Sequence, residues 1–371
     1  MTAPVVGDVR HVFLARSSLH FLLATAMAED LRASGGAPSR LLFLPDVLDP
    51  SLFERAVARW SEPPFDRIVF LAPQRLPGDA SARRGSGAVR ADLRRELAAA
   101  RPLSVTVFND REEAGQTLLV EAARRYPEAL RRCAEDGSRA YTGFAQPGHS
   151  LFGRWRQRVR VGSGWADVRV LGTHPLVQEF VALHPHLLRP ELRGPKLRPL
   201  PSHALSGPAV GALAAALCSV VGFDPASLVR EGALLLLNHS NYAKRNPDYA
   251  ARVQACASAL HAAHTLLYVK HHPREAQADP LGLIARGHAE VPRTLPAESL
   301  YLSWRERPMQ VIGGMSTSLL TAALLMPRAR VRVLQHASAS GDAWNPALLE
   351  ALRIEPLPST GLLDAEGHLV D

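Results

Sequence analysis

Cysteine is scarce in this chain of 371 residues. The three present, Cys133, Cys218 and Cys256, are widely separated. An odd number without paired metal-ligand spacing argues against a disulfide framework and a cysteine-ligated zinc site, and fits buried thiols in a reducing compartment. Long apolar runs are also missing. The most apolar stretch, Ala209 to Val221, is shorter than the roughly 20 residues a membrane span needs. The polar start from Met1 to Arg10 lacks the pattern of a signal peptide. The expected location is the cytoplasm, with peripheral attachment to the cytoplasmic face of the inner membrane open through basic patches. There is no G-x-x-x-x-G-K-S/T loop and no G-x-G-x-x-G turn after a strand, which argues against a P-loop ATPase and a dehydrogenase. Zinc-finger spacing, a basic zipper and RNP aromatics are absent, so nucleic acid is not an expected partner. Neither a solenoid-length repeat nor a low-complexity tract occurs.

What is present describes a folded protein, with 47% hydrophobic and 21% charged residues. The length favours two domains. The net charge of +8, carried mostly by arginine, favours anionic partners such as nucleotides, acidic glycans, nucleic acid or an anionic membrane face, without choosing among them.

The first half alternates apolar runs with helical patterns. Strands are expected at His11 to Ala15, Arg40 to Leu44, Arg67 to Leu71 and Leu103 to Phe108. Ser17 or Ser18 caps a helix after the first of them. A basic loop and helix carry Arg83, Arg84, Arg90, Arg94 and Arg95, and further helices are expected at Ala114 to Arg124 and Pro127 to Cys133. Phe152 to Pro201 differs: it is rich in arginine, with Arg154, Arg156, Arg158 and Arg160 close together. It reads either as a lid and linker or as an ordinary solvated basic face. The same rhythm restarts in the second half, with strands expected at Ala233 to Leu237, Thr265 to Val269, Met309 to Ile312 and Arg330 to Leu334. Strands alternating with helices imply parallel sheets covered on both faces. Two such halves, residues 1–205 and 206–371, predict two facing α/β domains with a cleft between them.

Four short segments carry candidate chemistry. Lys270, His271, His272, Pro273 and Arg274 follow an apolar run. Ligands bind at the carboxyl ends of strands in open α/β sheets, so this is an anion site, or else a surface loop that is merely basic. Gly313, Gly314, Met315, Ser316, Thr317 and Ser318 turn a strand into a helix, on what is expected to be a neighbouring strand. That turn is an anion site on a helix N-terminus or a plain cap. Glu298 lies between these two segments and is a ribose acceptor or a helix-start acid. Glu135 and Asp136, followed by Gly137, are a cap and turn or supply a general base.

Together these residues resemble the bacterial sialyltransferases, and most closely the bacterial polysialyltransferase family. An acidic pair before glycine is matched by Glu135-Asp136-Gly137, a His-Pro motif by His272-Pro273, and a Ser-Thr motif by Ser316-Thr317. Order and spacing agree, and the likeness runs from about Val12 to Leu334. The resemblance implies a GT-B fold, with the first domain on the acceptor side and the second holding the donor. It also implies CMP-sialic acid as donor, inversion at the anomeric carbon, and no metal or other cofactor. Asp136, or Glu135 beside it, would then be the base. His272 would act as a cation on the leaving phosphate, Ser316, Thr317, Ser318 and Gly314 would hold that phosphate, Lys270 would add charge, and Glu298 would bind the ribose. Arg154, Arg156 and Arg158 would suit an acidic or sialylated acceptor glycan. The rival readings are a GT-B enzyme using another CMP-ulosonic acid or a UDP sugar, and a non-catalytic polyanion binder.

Overall fold

The computed structural model describes residues 10–45, 49–71, 86–141, 147–192, 196–228, 232–334 and 346–357. The chain divides into two compact units, Met1–Glu54 with Trp60–Ala212 and Arg55–Arg59 with Leu213–Asp371.

The first unit is built on strands β1 (His11–Ala15), β2 (Ser39–Phe43), β3 (Arg67–Phe70), β4 (Ser104–Val107), β5 (Leu130–Ala134), β6 (Glu179–Ala182) and β7 (Lys196–Pro199). They form one seven-stranded sheet in the order β3-β2-β1-β4-β5-β6-β7, with every pairing parallel. The direction of winding reverses between β1 and β4, which is where such sheets bind ligands. The helices are α1 (Ser18–Ala33), α2 (Pro50–Arg59, whose last turn groups with the second unit), α3 (Ser86–Ala100), α4 (Glu113–Arg125) and α5 (Leu151–Val161). α1 starts where the Ser17 hydroxyl accepts the His20 N–H at 3.2 Å. It is buried nearly all round from Leu19 to Ala28, as a helix apolar on every face should be. Phe21, Phe43 and Phe53 pack with ring centroids 4.8 to 5.2 Å apart.

The second unit begins within α6 (Pro208–Val220) and contains β8 (Ala233–Leu236), α7 (Ser240–Arg245), α8 (Pro247–Ala262), β9 (Leu267–Lys270), β10 (Ala289–Val291), α9 (Ala297–Ser303), β11 (Gln310–Gly313), α10 (Thr317–Leu325), β12 (Arg330–Leu334), α11 (Pro346–Ala351) and β13 (Ile354–Leu357). Its six strands run in the order β10-β9-β8-β11-β12-β13, again all parallel. Tyr249, Val253, Cys256 and Leu260 of α8 recur at helical spacing and pack on Leu235, Leu267, Val269 and Ile312. The reversal of winding lies between β8 and β11.

Four expectations need correction. Leu130 to Ala134 is a strand and not a helix. Its arginines conceal it: Arg132 is buried in an ion pair with Glu179 of β6 at 2.8 Å, and Arg131 donates to the carbonyls of Leu176 and Ala129. Phe152 to Pro201 is not a lid and linker. After α5 it supplies β6 and β7, two strands of the first sheet. The His272 and Gly313 segments do not follow neighbouring strands, because β8 lies between β9 and β11. The basic character of α3 is largely neutralised. Arg90 pairs with Glu113, Arg94 with Glu121 at 2.7 Å, and Arg95 with Asp92 at 2.8 Å. Arg83 and Arg84 lie outside the described residues.

Candidate functional site

Candidate groups stand at the carboxyl ends of the central strands in each unit. In the first unit β5 ends at Ala134 and Glu135, Asp136 and Gly137 follow. Gly137 has φ +62°, a left-handed conformation that costs a non-glycine residue roughly 1–2 kcal/mol. The glycine of this motif is therefore a requirement of the turn that presents Asp136. Gly137→Ala is expected to lower stability by about that much, measured by urea unfolding.

The two acids face different surroundings. Glu135 is buried, and its carboxylate accepts the Tyr141 O–H and, at 2.8 Å, the Leu183 N–H. Burial pushes its carboxyl up to about 7 against the pull of those hydrogen bonds. That value would suit a base, but the side chain is closed off from solvent and ties the turn after β5 to the end of β6. Asp136 is partly exposed, and its Oδ1 lies 2.6 Å from Nε2 of His20. Nδ1 of His20 accepts the Arg16 N–H at 3.3 Å, so the ring proton sits on Nε2 and points at Asp136. The imidazole is held flat against Phe108, with centroids 4.9 Å apart and planes 13° apart. Asp136 is thus an oriented carboxylate that follows β5 and reaches His20, which stands after β1 at the switch point of the sheet. His20 had no signal in the sequence beyond its place in the first turn of α1. Nearby Asp110 is fully buried and accepts the Gly172 and His174 N–H groups, each at 2.8 Å. Burial raises it to about 6, and it braces the segment leading to β6.

In the second unit three consecutive strand ends contribute. After β9, Nδ1 of His272 accepts the Arg274 N–H at 3.1 Å. After β8, Nδ1 of His239 accepts the Asn241 N–H at 3.1 Å. Both rings therefore carry their proton on Nε2, the nitrogen left for a ligand. Their centroids are 5.6 Å apart. Glu275 joins the two loops by accepting the Ser240 N–H at 2.7 Å and the Gln277 N–H at 3.0 Å. Burial alone would raise Glu275, but those hydrogen bonds prevail and hold it near 2. It is a fixed anion. After β11, Ser316 caps α10 by accepting the Leu319 N–H at 3.2 Å, with Thr317 and Ser318 half-buried in the first turn. Gly314 comes so close to Asn238 that a Cβ there would meet Nδ2 at 2.6 Å.

Burial, followed by the charge of Arg274, depresses His272 to about 4. In the free protein it is therefore neutral near physiological pH, with Nε2–H available as a donor, whereas the sequence reading gave it the role of a cation on the leaving phosphate. Lys270 is buried in β9, and its ammonium donates to the carbonyls of His271 and Arg293 at 3.3 and 3.0 Å. Burial lowers it to about 8, with the charge of buried Glu298 opposing the shift. Lys270 is therefore directed at the main chain. His271 is buried as well, and the exposed Pro273 follows His272. Arg154 reaches Asp167 at 3.0 Å, while Arg156 and Arg158 are exposed on α5. The sequence reading assigned no role to His239. Its signal was available: it stands directly after the nearly all-leucine strand that proves central to the second sheet.

Chemically, the second unit offers two imidazole N–H donors and a capped helix N-terminus, an arrangement that suits phosphate oxygens. The first unit offers an oriented carboxylate suited to taking a proton.

No protein-family model and no curated protein matches the sequence. Solved structures match its fold along nearly the whole chain. An α/β-galactoside α-2,3-sialyltransferase from Photobacterium phosphoreum superposes with a TM-score of 0.55 and 10% identity, covering 93% of this chain and 97% of its own. The UDP-GlcNAc 2-epimerase of Neisseria meningitidis, solved with UDP-GlcNAc, gives 0.56 and 12%, covering 94% and 88%. A 2,6-sialyltransferase from Photobacterium sp. JT-ISH-224, solved with CMP and lactose, gives 0.51 and 12%, covering 92% and 74%. At such identities the likeness speaks to architecture, and with the two parallel sheets it establishes the GT-B fold.

Proposed function

We propose that this protein is a glycosyltransferase that moves sialic acid from CMP-sialic acid to a glycan hydroxyl, with inversion and without a metal. The observation that carries the reading is the pair His239 and His272, with ring centroids 5.6 Å apart and each held through Nδ1 so that Nε2 is left for a ligand. β8, which leads to His239, lies next to β11, which leads to the Ser316-capped helix. Asp136, oriented by His20, is the matching base. Asp136 takes the proton of the acceptor hydroxyl as its oxygen bonds to the anomeric carbon. The bond from that carbon to the phosphate oxygen breaks, and CMP leaves with an added negative charge. The imidazoles and the α10 N-terminus meet that charge with dipoles already in place. A single displacement of this kind inverts the anomeric centre. The first unit serves the acceptor and the second holds CMP, with Glu298 as the ribose residue. An acidic or sialylated glycan is the acceptor class, as in capsule polysialic acid or lipooligosaccharide synthesis, and α-2,8-polysialyl transfer is the finer form of the proposal.

The likeness to UDP-GlcNAc 2-epimerases favours one second reading, a UDP sugar as substrate. A thermal-shift series with CMP, CDP, UDP and GDP separates the two. Stabilisation by CMP, lost in His272→Ala, is the expected result; stabilisation by UDP without CMP moves the assignment to the second reading. The polyanion-binder reading loses the α3 part of its basis, since those arginines are engaged with acids.

A further inference from the structure

The face of α5 turned to solvent is apolar, the reverse of an ordinary surface helix. Leu151, Phe152, Trp155 and Val159 are 84%, 69%, 61% and 67% exposed. The opposite side, with buried Val161 and half-buried Gly153 and Gln157, faces the protein, where the helix packs on α4. With 3.6 residues per turn, the four exposed apolar side chains fall within an arc of about 100°. The Phe152 and Trp155 rings are stacked, with centroids 5.8 Å apart. The helix holds four arginines and no acid. Two of them anchor it, Arg154 to Asp167 at 3.0 Å and Arg160 to Glu113 at 3.4 Å. The other two, Arg156 and Arg158, flank the apolar arc on either side. Both are exposed, and among the described residues neither forms an ion pair.

We infer that α5 is a docking surface for an anionic lipid bilayer. An aromatic and aliphatic ridge between arginines matches the interfacial region, with the ridge among the acyl chains and the guanidinium groups at the phosphates. A soluble acidic glycan would engage the arginines but leave the ridge in water. A stable protein interface needs roughly 800 Å² from each partner, and four side chains on one short helix fall short of that. The role given to Arg156 and Arg158 as acceptor ligands therefore passes to lipid headgroups. The inference does not depend on the identity of the sugar donor.

The test is co-sedimentation of the full chain with vesicles of equal parts phosphatidylcholine and phosphatidylglycerol, against phosphatidylcholine alone. The parent is expected to bind the anionic vesicles and not the neutral ones, with binding that weakens as salt rises. Phe152→Ser combined with Trp155→Ser should weaken binding at least about tenfold, and Arg156→Gln combined with Arg158→Gln should also weaken it. All four positions are exposed, so thermal melts should stay unchanged. Trp155→Phe should still bind, yet lose the fluorescence quenching that brominated phosphatidylglycerol causes in the parent. Failure of the parent to bind, or parent-like binding by the Phe152/Trp155 variant, overturns the inference. So does a parent dimer in sedimentation velocity that Phe152→Ser dissolves, which would make the ridge a contact between copies. Loss of acceptor affinity in the arginine variant with vesicle binding intact would return that face to the glycan.

Discussion

Asp136→Asn is expected to lose roughly 10²–10⁴-fold in transfer rate, the range a positioned general base supplies, while Glu135→Gln keeps most of it. The contrast follows from surroundings. Asparagine preserves the volume of Asp136 and an oxygen to accept from His20, so the turn after β5 should survive and only the proton-accepting capacity disappears. Glutamine at position 135 keeps an acceptor for the Tyr141 O–H and the Leu183 N–H, the only hydrogen-bond partners the Glu135 carboxylate has among the described residues. Initial rates with CMP-sialic acid and labelled acceptors, read by mass spectrometry beside melting curves, measure both. Parent-like transfer by Asp136→Asn would refute the assignment of the base. An equal loss in well-folded Glu135→Gln would transfer the role to Glu135, whose carboxyl, pushed up to about 7, is the one whose proton affinity alone would recommend it.

His272→Ala is expected to lose about 10²–10³-fold, the usual effect of removing one preorganised donor at a developing charge. The pH dependence separates hydrogen bonding from protonation. Free His272 sits near 4 because of burial, with Arg274 adding to the effect. A bound phosphate favours the imidazolium, so the value rises in the complex. Binding of CMP then takes up a proton, and affinity must increase as pH falls toward the raised value. His272→Gln keeps a donor near the position of Nε2 but cannot take up a proton. The difference between parent and His272→Gln in CMP titrations, followed from about pH 8 to about pH 6, isolates this contribution from the titration of CMP itself. A parent slope no steeper than that of His272→Gln would show that His272 remains neutral throughout and acts only as a donor.

Most strands read correctly from sequence carry a run of apolar residues, even where a polar residue stands at one end. Val12 to Ala15, Ala233–Leu236 and Leu267–Lys270 are buried on both faces, and parallel strands covered by helices need no alternation. β5 and β6 were harder to read because they spend interior positions on charge: Arg132 and Glu179 satisfy each other inside the sheet, and β5 keeps no run of apolar residues around its two arginines, whereas β12 alternates Arg330 and Arg332 with valines. At the candidate site, Ser316 and His272 were legible because a cap and a strand-end loop have local signals. Lys270 and His271 misled for a geometric reason. β9 runs one residue further than its apolar character, so Lys270 is still inside the sheet and His271 is still buried. His272 is the first side chain of that segment to emerge. His20 and His239 were missed because their importance depends on which strands lie side by side, which the linear sequence does not state.

The candidate donor-site residues in the second unit that emerge from the sheet lie on three short segments, 238–241, 271–275 and 313–318, each leaving the carboxyl end of one of three adjacent strands. If the proposed function holds, these segments, with Glu298 for the ribose, would make donor preference a modular property. The three segments, together with the Glu275 carboxylate that ties two of them, are the unit to transplant when moving a nucleotide preference between proteins of this fold. A graft that omitted Glu275 would carry both histidines and lose the link that joins their loops.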